Sequence, residues 1–202
     1  MVNSNDTVVI GFDALDFEYL DQFADDLPNF QKLRSRGVES PLQSTLPPWT
    51  GSAWPSMYTG TGPGQHGVYD FFDHSGYPDT ASITSRNDVD QPALWNYLTA
   101  DNRPSVVLNL PVTHPAEEME GVLIPGYLAP ENSASSPPSA RSELSDAIGE
   151  EYRIYSRGET ADDGEMKRQG YLDLIDLRER AAVALLNDYE WELAVLQVQK
   201  TD

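Results

Sequence analysis

Three residues of this chain combine a reactive oxygen with a position where chemistry can use it: Asp13, Thr50 and Asp202. Asp13 directly follows the short β-branched run Thr7-Val8-Val9-Ile10-Gly11-Phe12, and Asp202 closes a segment that begins with another such run at 193–198. In open α/β sheets ligands gather at the carboxyl ends of the strands, so both carboxylates could face one crevice. Carboxylate oxygens at such a rim suit a divalent cation. Each aspartate also has a plainer use, capping the turn or helix that comes next. Thr50 stands before residues 51–58, a stretch that a threonine can open as a helix although Pro55 limits it. Its hydroxyl is a poor nucleophile at neutral pH and needs a base or a metal to lower its pKa. A helix N-terminus adds N–H donors and positive dipole where phosphate charge develops. On local sequence alone, an ordinary capping threonine is the favoured reading.

The elements that would position these residues follow from pattern. Residues 7–12 predict a buried strand. Helices are predicted over 15–25 and 28–36, the second with Pro28 near its first position and Gly37 just past its end. Residues 59–67 predict a turn-rich loop holding four glycines. A helix is predicted over 92–100, a second buried strand over 105–110, and a Ser- and Pro-rich surface loop over 129–140. A long amphipathic helix over 165–188 sets Leu174, Leu177, Ala181, Ala184 and Leu185 near one face. Residues 193–198 predict a third strand. Strands alternating with helices predict an α/β fold with a largely parallel sheet flanked by helices. No internal repeat or domain boundary is visible, so the 202 residues predict one sizeable domain, 1–202.

Composition narrows the function. There are no cysteines, which excludes disulfides and thiolate zinc sites; any metal must be held by carboxylate, imidazole or hydroxyl groups. With 33 acidic against 13 basic residues the formal charge is −20. Such a surface repels nucleic acid phosphates. The acid is dispersed rather than gathered in a tail, and the only lysines are Lys32, Lys167 and Lys200. That bias fits a high-salt cytoplasm, where screening tolerates the self-repulsion. No apolar run approaches the roughly 20 residues of a membrane span. The first residues lack the basic and apolar regions of a secretory leader, so a soluble cytoplasmic protein is expected.

Longer motifs carry a family resemblance. The stretch Val9-Ile10-Gly11-Phe12-Asp13-Ala14-Leu15-Asp16, then Leu27-Pro28-Asn29-Phe30, then Ser44-Thr45-Leu46-Pro47-Pro48 resembles the opening of the type I phosphodiesterase/nucleotide pyrophosphatase group of the alkaline phosphatase superfamily. The block from Thr50 through Ala53-Trp54-Pro55-Ser56-Met57 to Thr59-Gly60-Thr61-Gly62-Pro63-Gly64-Gln65-His66-Gly67 is similar to its nucleophile segment. That family's nucleophile lies nine residues before the Thr-Gly pair and sixteen before the His-Gly pair; Thr50 meets both spacings, and Thr45 and Ser52 meet neither. Ala93-Leu94-Trp95, Asn109-Leu110-Pro111-Val112-Thr113-His114-Pro115, the stretch from Gly121 to Pro130, and Trp191 to Asp202 are similar to later segments.

The resemblance implies an alkaline-phosphatase-like core, of which this chain supplies the N-terminal part. It implies that Asp13 and Thr50 bind one of two divalent ions and Asp202 the other. The metals would be zinc, with manganese accepted by the same ligand types. Thr50 would attack phosphorus in a small phosphorylated substrate and form a covalent phospho-threonine. Two departures stand out. Nucleotide pyrophosphatases place an Asn after the His-Gly segment to hold a phosphate oxygen, and here that position is Phe71, which weakens the case for nucleotides. The family's remaining ligands, a His, an Asp-His pair and a distal His, fall beyond position 202. The competing expectation is therefore an inactive or partner-dependent remnant lacking half of its metal site. Sulfatases use a Cys- or Ser-derived nucleophile and phosphoglycerate mutases a Ser, so the threonine disfavours both.

Plainer roles are expected elsewhere. His66 should organise its glycine-rich turn, His74 and His114 should be structural or solvated, and Trp49, Trp54 and Tyr58 should pack. Asn109, at a strand end, could touch substrate. The last sheet edge is expected to lie uncovered, favouring self-association.

Overall fold

The structure is a computed structural model that describes residues 6–73, 76, 81–157, 160 and 162–199. Four of the apolar runs form one parallel sheet: β1 (Thr7–Phe12), β4 (Ser105–Leu108), β5 (Gly121–Ile124) and β6 (Leu193–Val198), in the order β1-β6-β4-β5. The short strands β2 (Phe72–Asp73) and β3 (Ser82–Ile83) pair antiparallel as a separate ribbon. Seven helices accompany them among the described residues: α1 (Phe17–Gln22), α2 (Pro28–Arg34), α3 (Thr50–Thr59), α4 (Pro63–His66), α5 (Leu94–Ala100), α6 (Ala140–Ile148) and α7 (Gly164–Asp188).

Strand alternation builds the layers. Val107, Leu123, Leu193 and Val195 point to one face and meet Trp54 and Tyr58 of α3 and Trp95 of α5. Val106, Leu108, Val122, Ile124, Ala194 and Leu196 point to the other and meet α6 and α7. The result is a helix–sheet–helix sandwich whose central strands are apolar on both faces, as a parallel sheet requires. Each fully buried Leu, Ile or Val contributes about 1.5–3 kcal/mol.

Several elements depart from expectation for local reasons. The helix expected over 15–25 is two pieces, because α1 ends at Gln22 with Phe23 as its C-cap and a 3-10 turn, Ala24–Asp26, follows. The loop expected over 59–67 contains α4, which Pro63 starts and Gly67, at φ 85°, stops. The strand expected over 105–110 ends at Leu108, since Asn109 turns into the left-handed region at φ 64°. Residues 129–140 form a loop that is exposed over much of its length but anchored at buried points. Ser133, Ser135 and Ser136 are buried, Ser136 exchanges backbone hydrogen bonds with Leu123 at 2.8 and 2.9 Å, and Ser135 Oγ accepts from Arg141 N at the start of α6. The segment therefore closes the outer edge of β5.

The open edge belongs to the first strand, not the last. β6 lies inside the sheet between β1 and β4, and β1 has no second strand neighbour among the described residues. Val8 and Ile10 lie level with Ala194 and Leu196 yet stay 44% and 54% exposed. An edge carrying exposed aliphatics invites pairing with another chain. We expect micromolar solutions of the chain to contain oligomers, and Val8→Lys with Ile10→Lys to return them to monomer in sizing chromatography. A wild-type monomer peak counts against this surface.

Candidate functional site

Asp13 is placed by the end of β1. Its backbone N–H donates to Val198 O at 3.1 Å, so it leaves the sheet beside the end of β6. Ala14 then turns the chain at φ 57°, a conformation that carries roughly 1–2 kcal/mol of strain for a residue with a Cβ. Strain of this kind tends to concentrate where geometry matters more than stability.

Thr50 is placed by α3. Trp49, in extended conformation, is the N-cap and Thr50 the first helical residue, which corrects the expectation that Thr50 itself caps. Ser52 N and Ala53 N both donate to Trp49 O. By position, the N–H groups of Thr50 and Gly51 have no carbonyl partner within the helix, so the hydroxyl sits at the positive end of the dipole. Pro55 lies inside α3; it lacks an N–H, and the helix continues past it to Thr59.

Trp54 joins the two. A Cβ placed on Gly11 would sit 2.3 Å from Trp54 Cη2, so only glycine lets the indole lie across β1. The indole N–H donates to Asp13 Oδ1 at 3.3 Å, and the Thr50 hydroxyl donates to Asp13 Oδ2 at 3.3 Å. One carboxylate thus receives both side chains of the helix. Asp13 and Thr50 are half-buried and reachable from solvent.

A second layer braces α3. Gly51 packs against residues 69–71, where an added Cβ would meet Asp70 O at 2.8 Å. That segment is pinned in turn by Thr84, whose hydroxyl donates to Asp70 O at 3.0 Å and whose N–H donates to Phe71 O at 2.9 Å. His66, fully buried, accepts from Val68 N at Nδ1 (3.2 Å), which puts the ring proton on Nε2, 2.8 Å from Ser56 Oγ of α3. Burial is the main cause holding its pKa below the ordinary value of 6.5, and burial lowers His114 likewise. His66 fastens the glycine-rich turn to the helix. His74 and Asp202 lie outside the described residues.

Trp54 and Tyr58 are core residues, and the Tyr58 hydroxyl donates to Val112 O at 3.1 Å. Trp49 is different, half-exposed beside Thr50 and the first of a row of rings. It meets Phe71 at 6.3 Å between centroids, Phe71 meets Tyr127 at 6.1 Å, and Tyr127 meets Tyr155 at 6.2 Å. Trp49 could be read as lining a pocket, but the row itself is invisible to residue pattern, because its members are far apart in the chain and follow no period. Asn109, expected to reach substrate, is fully buried and donates to Gln197 Oε1 at 2.6 Å.

A cleft of about 290 Å³ opens next to the β2–β3 ribbon, lined by Asp70, Asp73 and Asp88 among others, without Thr50 or Asp13. Its carboxylates disfavour anions. The Thr50 end differs in bringing a hydroxyl and a helix N-terminus together with a single carboxylate. Among the described residues no three His, Cys, Asp or Glu side chains come together as a metal site. The carboxylate and hydroxyl oxygens of Asp13 and Thr50 are nonetheless donors of the type that divalent cations accept.

The family model for type I phosphodiesterase/nucleotide pyrophosphatase matches residues 7–202. Among solved structures the chain is similar to a phosphonoacetate hydrolase from Sinorhizobium meliloti 1021, crystallised in complex with phosphonoacetate. The TM-score is 0.68 and the identity 13%, covering 96% of this chain and 46% of that one. At that identity the likeness carries the fold alone, and this chain spans less than half of that protein's length. No curated protein matches.

Two outcomes test the bracing. Unfolded histidine binds more protons than buried His66 or His114 below about pH 6.5, so stability should fall as pH drops from 7.5 to 5.5. His66→Asn should make that decline shallower in thermal melts. Gly11→Ala, which drives a methyl into Trp54, should cost about 1–3 kcal/mol of stability by denaturant titration.

Proposed function

The chain belongs to the type I phosphodiesterase/nucleotide pyrophosphatase family, and we propose that it carries the nucleophile-bearing part of a metal-dependent hydrolase of phosphate esters, diesters or related phosphonates. The observation behind this reading is the pairing of the Thr50 hydroxyl with the Asp13 carboxylate, 3.3 Å apart at the N-terminus of α3.

In the proposed reaction the Thr50 hydroxyl gives up its proton to solvent and Oγ1 attacks phosphorus, while the P–O bond on the opposite side, or the P–C bond of a phosphonate, breaks and the departing group takes a proton from solvent, giving a phospho-threonine. Water then attacks the same phosphorus and the threonine oxygen leaves. Asp13 orients the hydroxyl before attack, and the first-turn N–H groups of α3 face the phosphoryl oxygens as charge builds on them. Asp13 and Thr50 would hold one divalent ion and Asp202 a second, zinc or manganese, which supply the charge that activates the hydroxyl and steadies the leaving oxygen. Trp54 keeps the carboxylate from rotating away. The ring wall starting at Trp49 gives a flat or apolar ester group a surface to lie on, while the −20 charge disfavours a nucleic acid substrate. The expected partner is thus a small phosphorylated molecule.

A protein containing this chain should hydrolyse substrates in a panel of phosphodiesters, phosphomonoesters and phosphonoacetate when zinc or manganese is supplied, and lose activity to chelation. Thr50→Ala should lower kcat about a thousandfold or more while the melting temperature stays within a few degrees. Unchanged hydrolysis in Thr50→Ala would remove the nucleophile assignment. Activity confined to a complex with a second chain would favour the partner-dependent remnant.

A further inference from the structure

Three amide side chains enter the carboxyl end of the sheet on the face that α3 covers. Asn109, Gln197 and Gln199 are 0%, 1% and 8% exposed. Asn109 follows β4 and lies beside Gln197, because Leu108 pairs with Leu196; Gln199 comes beside Asp13, because Val198 pairs with Phe12. Asn109 Nδ2 donates to Gln197 Oε1 at 2.6 Å and to Gln197 O at 3.4 Å. The second contact fixes the orientation of the pair, since exchanging the Asn109 oxygen and nitrogen would set oxygen against oxygen.

With that bond made, Asn109 Oδ1, Gln197 Nε2 and Gln199 Oε1 are buried without a partner among the described residues. Native interiors rarely leave such atoms orphaned, and three at neighbouring positions past the ends of β4 and β6 point to a bound group. Their polarity says which. Two are acceptors and one is a donor. A cation would meet the hydrogens of Gln197 Nε2, and an anion would meet two carbonyl oxygens. A water molecule gives its two hydrogens to the oxygens, accepts one from the nitrogen, and keeps a lone pair to spare.

We propose that Asn109, Gln197 and Gln199 form a buried hydration site that takes one ordered water between β4 and β6. The water serves as a fourth amide-like member of the group. It ties the ends of the two central strands together and holds the Gln199 side chain on the face that also bears Asp13. These three are positioning residues, and the site stands whether or not Thr50 is a nucleophile.

A crystal structure of the chain at a resolution that shows ordered solvent tests this directly. The expected density is a water hydrogen-bonded to Gln197 Nε2 and to at least one of the two carbonyl oxygens. Gln197→Leu should abolish that density and lower the melting temperature by about 5 °C. In solution, water oxygen-17 relaxation dispersion should count fewer long-lived waters in Gln197→Leu than in the wild type. Asn109 Oδ1 bonded directly to Gln197 Nε2, a protein group filling the site, or equal water counts would overturn the proposal.

Discussion

The contact on which the site depends is an indole lying on a glycine. Trp54 crosses β1 at Gly11 because no side chain stands there, and from that position its N–H reaches the carboxylate two residues further along the strand. The helix that supplies Trp54 also supplies Thr50, so a single packing decision sets both the height of α3 above the sheet and the distance from hydroxyl to carboxylate. Trp54 is 8% exposed and belongs to the larger cluster of the α3 face. Its burial energy, about 1.5–3 kcal/mol or more for a large aromatic, thereby holds polar groups in register that would otherwise be free to drift.

Backbone strain is distributed in the same direction. Of the five non-glycine residues at positive φ among the described residues, four lie just beyond the carboxyl ends of strands: Ala14 after β1, Asn109 and Val112 after β4, and Leu128 after β5. Only Asn109 is of a type that tolerates this conformation readily, and Val112, being β-branched, tolerates it least. The amino ends of the strands carry Gly121 at φ 105°, where no Cβ is strained. A sheet that turns its chain sharply at one rim brings several loops over that rim at close range. This is the arrangement that ligand sites in open α/β sheets use.

Much of this was legible from residue pattern, and the exceptions are informative. The runs at 7–12 and 193–198 read correctly as strands because β-branched and aliphatic residues without helical spacing have no better use, but only the second is buried as expected; residues 7–12 form the exposed edge strand, since apolar composition does not tell an edge from a centre. The long helix α7 was visible in the spacing of Leu174, Leu177, Ala181 and Leu185, which are all buried. The link between Asp13 and Thr50 became visible only through longer motifs, since 37 residues separate them and nothing local signals their meeting. Serine and proline at 129–140 suggested solvent, yet Ser135 and Ser136 spend their hydrogen bonds on a helix end and a strand edge. Small hydroxyl residues can satisfy buried backbone as easily as exposed backbone, so composition does not separate the two uses. Strand order was equally hidden, because alternation reports which face a residue takes and says nothing of which neighbour lies alongside.

That hidden order has a consequence for how the chain reaches its final form. β4 and β5 are close in sequence and can pair as soon as both exist, whereas β1 borders only β6 among the described strands, and β6 comes last. Pairing β1 with β6 sets Thr7 beside Leu193, residues from opposite ends of the described chain. Closing so long a loop is slow compared with forming the local pair. Asp13 is therefore carried into place by a long-range pairing, and the meeting of carboxylate with hydroxyl waits on β1 finding β6 rather than on any local contact.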